Sequence, residues 1–383
     1  MNSNYDVVMY FYWAPCQVVH KYLSFHKKLQ KFCNVLTIIG EGEFGITKEQ
    51  FNYFDDKYKT NVILKPMAEA LKVLEDVDYK IGIFSSNGRK GYINPDLTTP
   101  PPLGTKHPNL GKDIAIAKEK GALTIQISEM INDFYYAGAD IASLVSPTMH
   151  QMHINPGWIG TYHRYQWRPY DANPEPKYIY SNCLLWDNVE DCIPYMSRDA
   201  FCNKYKLDKD KEILLYLPSA CNTVTKGSAK EAYIKGCQLD NVIVKLHPKE
   251  YFRTAAERYD NKWSYEICGI KAVRVLDPLD THWCHKYADL AMSNQTSTSI
   301  EMPLYNTPFL YIQPPSFPWH NLFLKLAHVV SLDNLSEFIT NKKYKNKIEN
   351  LDKFYDIVLA DSKRKSADIL SEQIKGLLND NIR

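Results

Sequence analysis

No stretch of this 383-residue chain approaches the roughly 18 consecutive apolar residues that a membrane-spanning helix needs. Net charge is nearly absent as well. Lys and Arg number 46 against 44 Asp and Glu, which leaves +2, so no global field directs the chain toward nucleic acid. There is no C-x-x-C pair. The nine cysteines are odd in number and scattered from Cys16 to Cys284, which excludes a disulfide framework and a zinc knuckle and predicts a reducing compartment. A secretory leader is not recognisable: Asp6, not a basic segment, precedes the apolar stretch Val7–Val19, and Pro15 interrupts it. Nor is there a glycine fingerprint. Gly40–Gly45 (GEGEFG) and Gly82–Gly91 match neither a P-loop nor a dinucleotide-binding turn, although either lets backbone approach a ligand. These absences predict a cytoplasmic globular protein.

What is present points to a sizeable core. Hydrophobic residues make up 45% and charged residues 23%, and the length predicts about two domains. Aromatic content is high, with 27 Tyr, 15 Phe and 7 Trp. Short apolar, β-rich runs alternate with helix-length segments, the pattern of a parallel α/β fold. The first series of strands is Val7–Tyr12, Val35–Gly40, Val62–Leu64, Lys80–Phe84, Leu123–Ile127 and Ile141–Val145. A second series restarts near residue 210 with Glu212–Leu217, Asn241–Leu246, Ala272–Leu276, Ala288–Met292, Pro308–Ile312 and His328–Ser331. Helices are predicted at Lys112–Gly121, at Ser197–Tyr205 with Ser197 as its cap, at Ala229–Cys237 and at Phe252–Tyr259. The expected division is 1–195, 196–335 and a helical segment 336–383. Two long segments, Asn87–Lys112 and Ser146–Lys177, show no clear element and are of a length that is often functional.

Two motifs carry chemistry. In Asn241–Glu250 (NVIVKLHPKE), a strand delivers Lys245, His247, Pro248 and Lys249 to its carboxyl end, the edge where open α/β sheets bind ligands. A His with flanking Lys there offers hydrogen bonds and positive charge to a phosphate, whereas the plain structural reading is a turn. In Ala288–Ile312, a strand runs into Ser293, Asn294, Gln295, Thr296, Ser297, Thr298 and Ser299, and a helix is expected next with Glu301 in its early turn. Hydroxyls and free N–H groups at a helix start form an anion site. A simple N-cap needs only one of those hydroxyls.

With both motifs in place, the C-terminal half resembles transferases of the GT-B fold, in particular CDP-glycerol glycerophosphotransferases and the related capsule sialyl- and Kdo-transferases. The match lies in His247-Pro248 after one strand, Thr296-Ser297 after a later one, and Glu301 seven positions before Pro308. Tyr195–Ser219 also looks like the interdomain helix and first strand of that family. The resemblance covers roughly 195–315. It implies two Rossmann-like domains facing each other across a cleft and a nucleotide-activated donor. It also implies that His247 stabilises leaving-group charge, that Thr296 and Ser297 bind phosphate, and that Glu301 holds the ribose. Lys245 and Ser299 complete the expected donor set.

The N-terminal half departs from that pattern. The Trp-His-Gly run expected after a Gln-bearing strand is replaced by Ile127-Ser128-Glu129-Met130 after Gln126, and Glu41-Gly42-Glu43 only loosely echoes an acidic-acidic-Gly motif. An inverting transfer needs a base for the acceptor hydroxyl. Glu41, Glu43 and Glu129 are the candidates, with Glu129 favoured, while surface solvation or capping is the ordinary fate of such carboxylates. Met149–Tyr170 gathers three His (His150, His153 and His163) with Trp158, Arg164, Trp167 and Arg168. Aromatic faces stack on sugars and Arg grips carboxylate or phosphate, so these residues suit an acceptor-binding loop as well as an aromatic satellite core. The three His lack a Cys or carboxylate at metal-ligand spacing, and Asp55-Asp56 is not read as a metal site, so no metal or separate cofactor is expected.

The region Thr340–Lys365 carries eight basic and four acidic residues among apolar positions at helical spacing. A packing face with a solvated charged face accounts for this, as does peripheral contact with the inner face of a membrane. The expectation is an inverting, metal-independent transferase acting on a nucleotide-sugar donor and a glycan or glycolipid acceptor, without nucleic acid. The alternatives are a UDP-sugar 2-epimerase-like enzyme and a non-catalytic nucleotide- or glycan-binding protein.

Overall fold

A computed structural model describes residues 4–11, 16–41, 48–52, 54, 56, 59–85, 111–128, 138–154, 175–187, 190, 193–247, 250, 262–275, 277, 280–315, 324, 327–348 and 351–380. The chain forms two compact units, Met1–Pro194 with Tyr355–Arg383, and Tyr195–Phe354.

The first unit is built on seven parallel strands: β1 (Asn4–Phe11), β2 (Val35–Glu41), β3 (Val62–Pro66), β4 (Asp78–Ser85), β5 (Leu123–Ile127), β6 (Ile141–Leu144) and β7 (Lys177–Tyr180). Their order is β3-β2-β1-β4-β5-β6-β7, so the direction of winding reverses between β1 and β4. A parallel sheet covered on both faces needs strands that are apolar throughout. Strand β1 fits, because Val7 through Phe11 are all 0% exposed. One face packs as a cluster around Val8, Tyr10, Ile38, Phe84 and Ala142. Strand β7 was not expected; its sequence, KYIY, follows a long polar-aromatic segment and has only one side buried against the cluster.

Helix Cys16–Leu29 links β1 to β2 and buries His26 completely. His26 Nε2 donates to the Thr60 carbonyl at 2.8 Å, which leaves Nδ1 to accept from the Thr37 hydroxyl at 2.8 Å. Burial pulls the imidazole down to about 4, against the Thr60 carbonyl, which raises it. The unfolded chain takes up this proton near pH 6.5 and the folded chain resists it until about pH 4. This contribution is therefore complete above pH 6.5 and is lost as pH falls toward 4, to a total of about 3 kcal/mol. Asp187 titrates in the opposite sense: burial raises its carboxyl to about 6 against the N–H groups of Ala367 and Ser366 and the charges of Lys21 and Lys365. The His26 share is therefore isolated by difference. In urea unfolding, the stability gap between the wild type and His26→Gln should narrow by most of that amount between pH 7 and pH 4.5; parallel pH profiles would refute the assignment.

The C-terminal end of the chain belongs to the first unit. Asp187 accepts hydrogen bonds from the N–H groups of Ser366 and Ala367 at 2.7 and 2.8 Å and so caps helix Ser366–Asp380. Asn182, at φ 60°, donates to the carbonyls of Asp361 and Arg364. Lys28 pairs with Asp368 at 2.5 Å. Helix Leu335–Thr340 and the turn Lys343–Lys345 belong instead to the second unit. The basic region is locally compensated. Lys342 and Lys345 pair with Glu212, Lys343 with Glu337, Lys347 with Asp352 and Arg364 with Glu372. Glu212, Glu337 and Glu372 lie outside Thr340–Lys365, so counting charge within that window misses them.

The second unit holds six parallel strands: β8 (Leu214–Tyr216), β9 (Val242–Lys245), β10 (Val273–Val275), β11 (Leu290–Ser293), β12 (Phe309–Ile312) and β13 (His328–Val330), in the order β10-β9-β8-β11-β12-β13. Winding reverses between β8 and β11. Tyr216, Val244, Met292, Leu310 and Ile312 form the core of one face with helix Gly227–Gly236. Helix Arg198–Tyr205 starts as expected, with the Ser197 hydroxyl accepting from Ala200 N at 3.1 Å, and stops at Lys206 in the left-handed region. The expected helix Phe252–Tyr259 lies outside the described residues.

Candidate functional site

The expected donor residues of the second unit converge on the carboxyl ends of β9 and β11, either side of β8. Val244 pairs with Tyr216, Tyr216 with Met292, and Ser293 with Tyr311. Residues in register across a parallel sheet share a face. Lys245, Ser293 and Tyr311 therefore lie on the face opposite the Val244–Tyr216–Met292 core. Helix Thr281–Tyr287 contributes Trp283 and Cys284, 0% and 1% exposed.

Lys245 is 7% exposed, and its ammonium makes no hydrogen bond or ion pair among the described residues. Burial lowers its pKa, while the nearby Glu301 carboxylate and Cys284 raise it. An interior cation with no contacting counter-ion is costly, and costly arrangements of this kind gather at functional sites. Past Leu246 the chain delivers His247, half-buried, whose carbonyl accepts from Glu250 N at 2.8 Å. Glu250, 2% exposed, accepts from Ser264 N at 2.7 Å and from the Ser264 hydroxyl at 3.0 Å, which ties this turn to helix Ser264–Ile267. Pro248 and Lys249 lie outside the described residues.

The loop after β11 is stitched to its neighbours. The Ser293 hydroxyl donates to the Leu217 carbonyl at 2.6 Å, and Ser219 donates to the Gln295 carbonyl at 2.7 Å, which joins the exits of β8 and β11. Asn294 donates to the Ile312 and Gln313 carbonyls at the end of β12. Thr296 Oγ1 lies 3.0 Å from Thr298 Oγ1 and accepts from Thr298 N at 3.2 Å. Ser299 is fully buried and bonds to the Tyr311 hydroxyl at 2.8 Å. The side chain of Ser297 lies outside the described residues.

No α-helix begins here, contrary to the sequence expectation. The segment forms two short 3-10 turns, Ser297–Ser299 and Met302–Tyr305. Thr296 folds back on the backbone of its own loop, Pro303 brings no N–H, and Asn306 at φ 60° closes the second turn. The loop therefore offers placed hydroxyls and N–H groups, and no long helix dipole. Glu301, half-buried, stands 3.4 Å from Nδ1 of the buried His285.

In the first unit, Gln126 is buried in β5 beside Phe84 and Ala142. Glu129, Trp158, Arg164, Trp167 and Arg168 lie outside the described residues, as do Glu43, His163 and the side chains of Glu41 and His153. His150, in helix Pro147–Ile154, bonds through Nδ1 to the Tyr180 hydroxyl at 2.8 Å. Among the described residues no group of three or more His, Cys, Asp or Glu is placed to hold a metal ion, and no helix is long and apolar enough to cross a membrane. Sequence reading passed over Tyr311, because FLYI reads simply as a buried strand. It also passed over Ser219, since its pairing with Gln295 spans 76 residues.

No protein-family model and no curated protein sequence matches the chain. Solved structures do match across nearly its whole length. The S. aureus MnaA–UDP co-structure aligns with a TM-score of 0.52 at 11% identity, covering 98% of this chain and 97% of that one. A UDP-N-acetylglucosamine 2-epimerase gives 0.53 at 9%, covering 100% and 98%. The wall teichoic acid polymerase TagF gives 0.54 at 11%, covering 99% and 90%. At such identities the likeness defines the fold: a GT-B-type pair of Rossmann-like domains.

Proposed function

We propose that this chain is an inverting, metal-independent glycosyltransferase or related phospho-polyol transferase, moving a group from a nucleotide-activated donor to a surface-glycan-type acceptor. The observation that carries the reading is Lys245, a buried lysine whose ammonium makes no hydrogen bond or ion pair among the described residues, at the carboxyl edge of the strand next to the switch point. A phosphate is the natural counter-ion at that place in an open α/β sheet. Lys245 supplies the charge, Thr296 and Thr298 supply hydroxyls, and Ser297 belongs to the same turn. Glu301 holds the ribose, and His247 meets the charge that develops on the departing phosphate, the term that dominates such catalysis. Ser299 serves the loop and not the ligand. On the acceptor side, Glu129 as base and Trp158, Arg164, Trp167 and Arg168 as sugar contacts rest on sequence alone. No cofactor besides the donor and no nucleic acid enters the reading. A membrane contact through Thr340–Lys365 is left out of it, because many of the cations there are in ion pairs.

The test is a thermal-shift screen with CMP, CDP, UDP and GDP. A ligand at about 100 times its Kd stabilises the native state by about 2.7 kcal/mol, so at least one nucleotide is expected to raise the melting temperature by several degrees. No response to any of the four would remove the reading. Because the fold likeness extends equally to 2-epimerases, the best-binding nucleotide is then supplied as its sugar conjugate without acceptor. Accumulation of an epimer would assign the chain to that reaction, and binding without any turnover, with or without acceptor, to a non-catalytic role.

A further inference from the structure

Tyr311 lies on β12, outside the loop whose hydroxyls face the proposed donor, yet it fixes that loop from below. It is 0% exposed, and its hydroxyl donates to the Thr296 carbonyl at 2.5 Å while forming a second hydrogen bond with Ser299 Oγ at 2.8 Å. Ser299 Oγ in turn lies 3.5 Å from the same Thr296 carbonyl, so three polar atoms close a small buried triangle. The triangle brackets the segment that carries Thr296, Ser297 and Thr298. A 3-10 turn of three residues has little stability of its own, because its hydrogen-bond geometry is poor. The separation of Thr296 and Thr298 Oγ atoms, 3.0 Å, is therefore held by what grips the turn at both ends.

We infer that Tyr311 is a positioning residue that, with Ser299, pre-organises the Thr296–Thr298 turn for the phosphate of the donor. The inference rests on the donor reading above. Without the phenol hydroxyl, the Thr296 carbonyl loses its close donor at 2.5 Å and Ser299 keeps only its 3.5 Å contact with that carbonyl, so the turn relaxes and the ligand must order it again on binding. The ring itself fills the sheet face in either case, so Tyr311→Phe keeps the packing.

The experiment compares wild type, Tyr311→Phe and Ser299→Ala. Amide hydrogen exchange is followed at residues 296–301 without ligand, and affinity for CMP, CDP, UDP and GDP is measured by calorimetry. Faster exchange confined to that turn in both variants is expected, together with a loss of at least tenfold in affinity for whichever nucleotide the wild type binds. The melting temperature of the free protein should stay within a few degrees of wild type. The two losses should also fail to add in the double variant, because they break one unit. Unchanged exchange in the turn would overturn the inference, and so would faster exchange with unchanged affinity. If the wild type binds none of the four nucleotides while the turn still loosens, the donor reading fails and the clamp is a purely structural device, which overturns the inference.

Discussion

Replacing His247 with alanine is expected to lower nucleotide release from the donor by at least about 100-fold while leaving nucleotide affinity within about tenfold of wild type. The separation of the two effects follows from where the residue stands. Strand β9 ends at Lys245, Leu246 turns inward at 0% exposure, and His247 emerges half-buried. The turn that presents it is held by backbone and by Glu250: Glu250 N bonds to the His247 carbonyl, and the Glu250 carboxylate is fixed on Ser264. These bonds run through the His247 carbonyl and the Glu250 carboxylate, which the variant keeps, and circular dichroism and the melting temperature check the fold. Binding of the ground-state phosphate is assigned to Lys245 and the Thr296–Thr298 turn. The imidazole matters mainly once charge builds on the departing phosphate, so kcat should fall far more than affinity. A variant releasing nucleotide at the wild-type rate would sink the role given to His247.

The strands were legible because parallel sheets buried on both faces leave a plain trace, short apolar runs bounded by turn residues. All the expected strands of both series are present, within a residue or two at most ends. Strand β7 escaped because three of its four residues are only partly buried and the segment before it is polar. Helix Cys16–Leu29 escaped because its first residues fall within the apolar stretch Val7–Val19, which hides where the strand ends and the helix begins. Local chemistry was readable where one residue decides it, as with Ser197 at the start of its helix. It misled at Ser297–Glu301, where a helix was expected and hydroxyl back-bonding gives 3-10 turns instead.

For the site, sequence pointed to the two strand ends but could not show that they flank the same strand. Lys245 and Thr296 stand on either side of β8 only through the strand order β9-β8-β11. The support of the site was invisible for the same reason. The bonds from Ser219 to Gln295 and from Tyr311 to Thr296 join residues from different strand ends, and nothing in either local segment announces the partner. Burial was also not readable. NVIVKLHPKE places Lys245 at a strand end, but that the residue is buried follows only from the packing of the whole unit.

That enclosure leads to the second large effect. Lys245→Met should make the free protein more stable and nearly abolish nucleotide binding. In the free protein, Lys245 is 7% exposed with no contacting counter-charge among the described residues, and burial lowers its pKa against the pull of Glu301 and Cys284. Methionine fills similar volume without a charge to desolvate, so the exchange removes the cost of burying an ammonium that has no contacting counter-ion. Glu301 loses some favourable field in the exchange, but it is partly exposed and has His285 beside it, so the net sign should hold. With nucleotide, the balance reverses. A charge-assisted bond to phosphate inside a low-dielectric site is lost, and a loss of 2–5 kcal/mol lowers affinity by roughly 30- to 5,000-fold. Urea unfolding of the free protein and calorimetry with the best-binding nucleotide read the two halves separately. A structural lysine would give the opposite pattern, a destabilised free protein whose affinity is unchanged. Only a residue kept at the expense of stability for the sake of a ligand produces a gain in one measurement and a loss in the other.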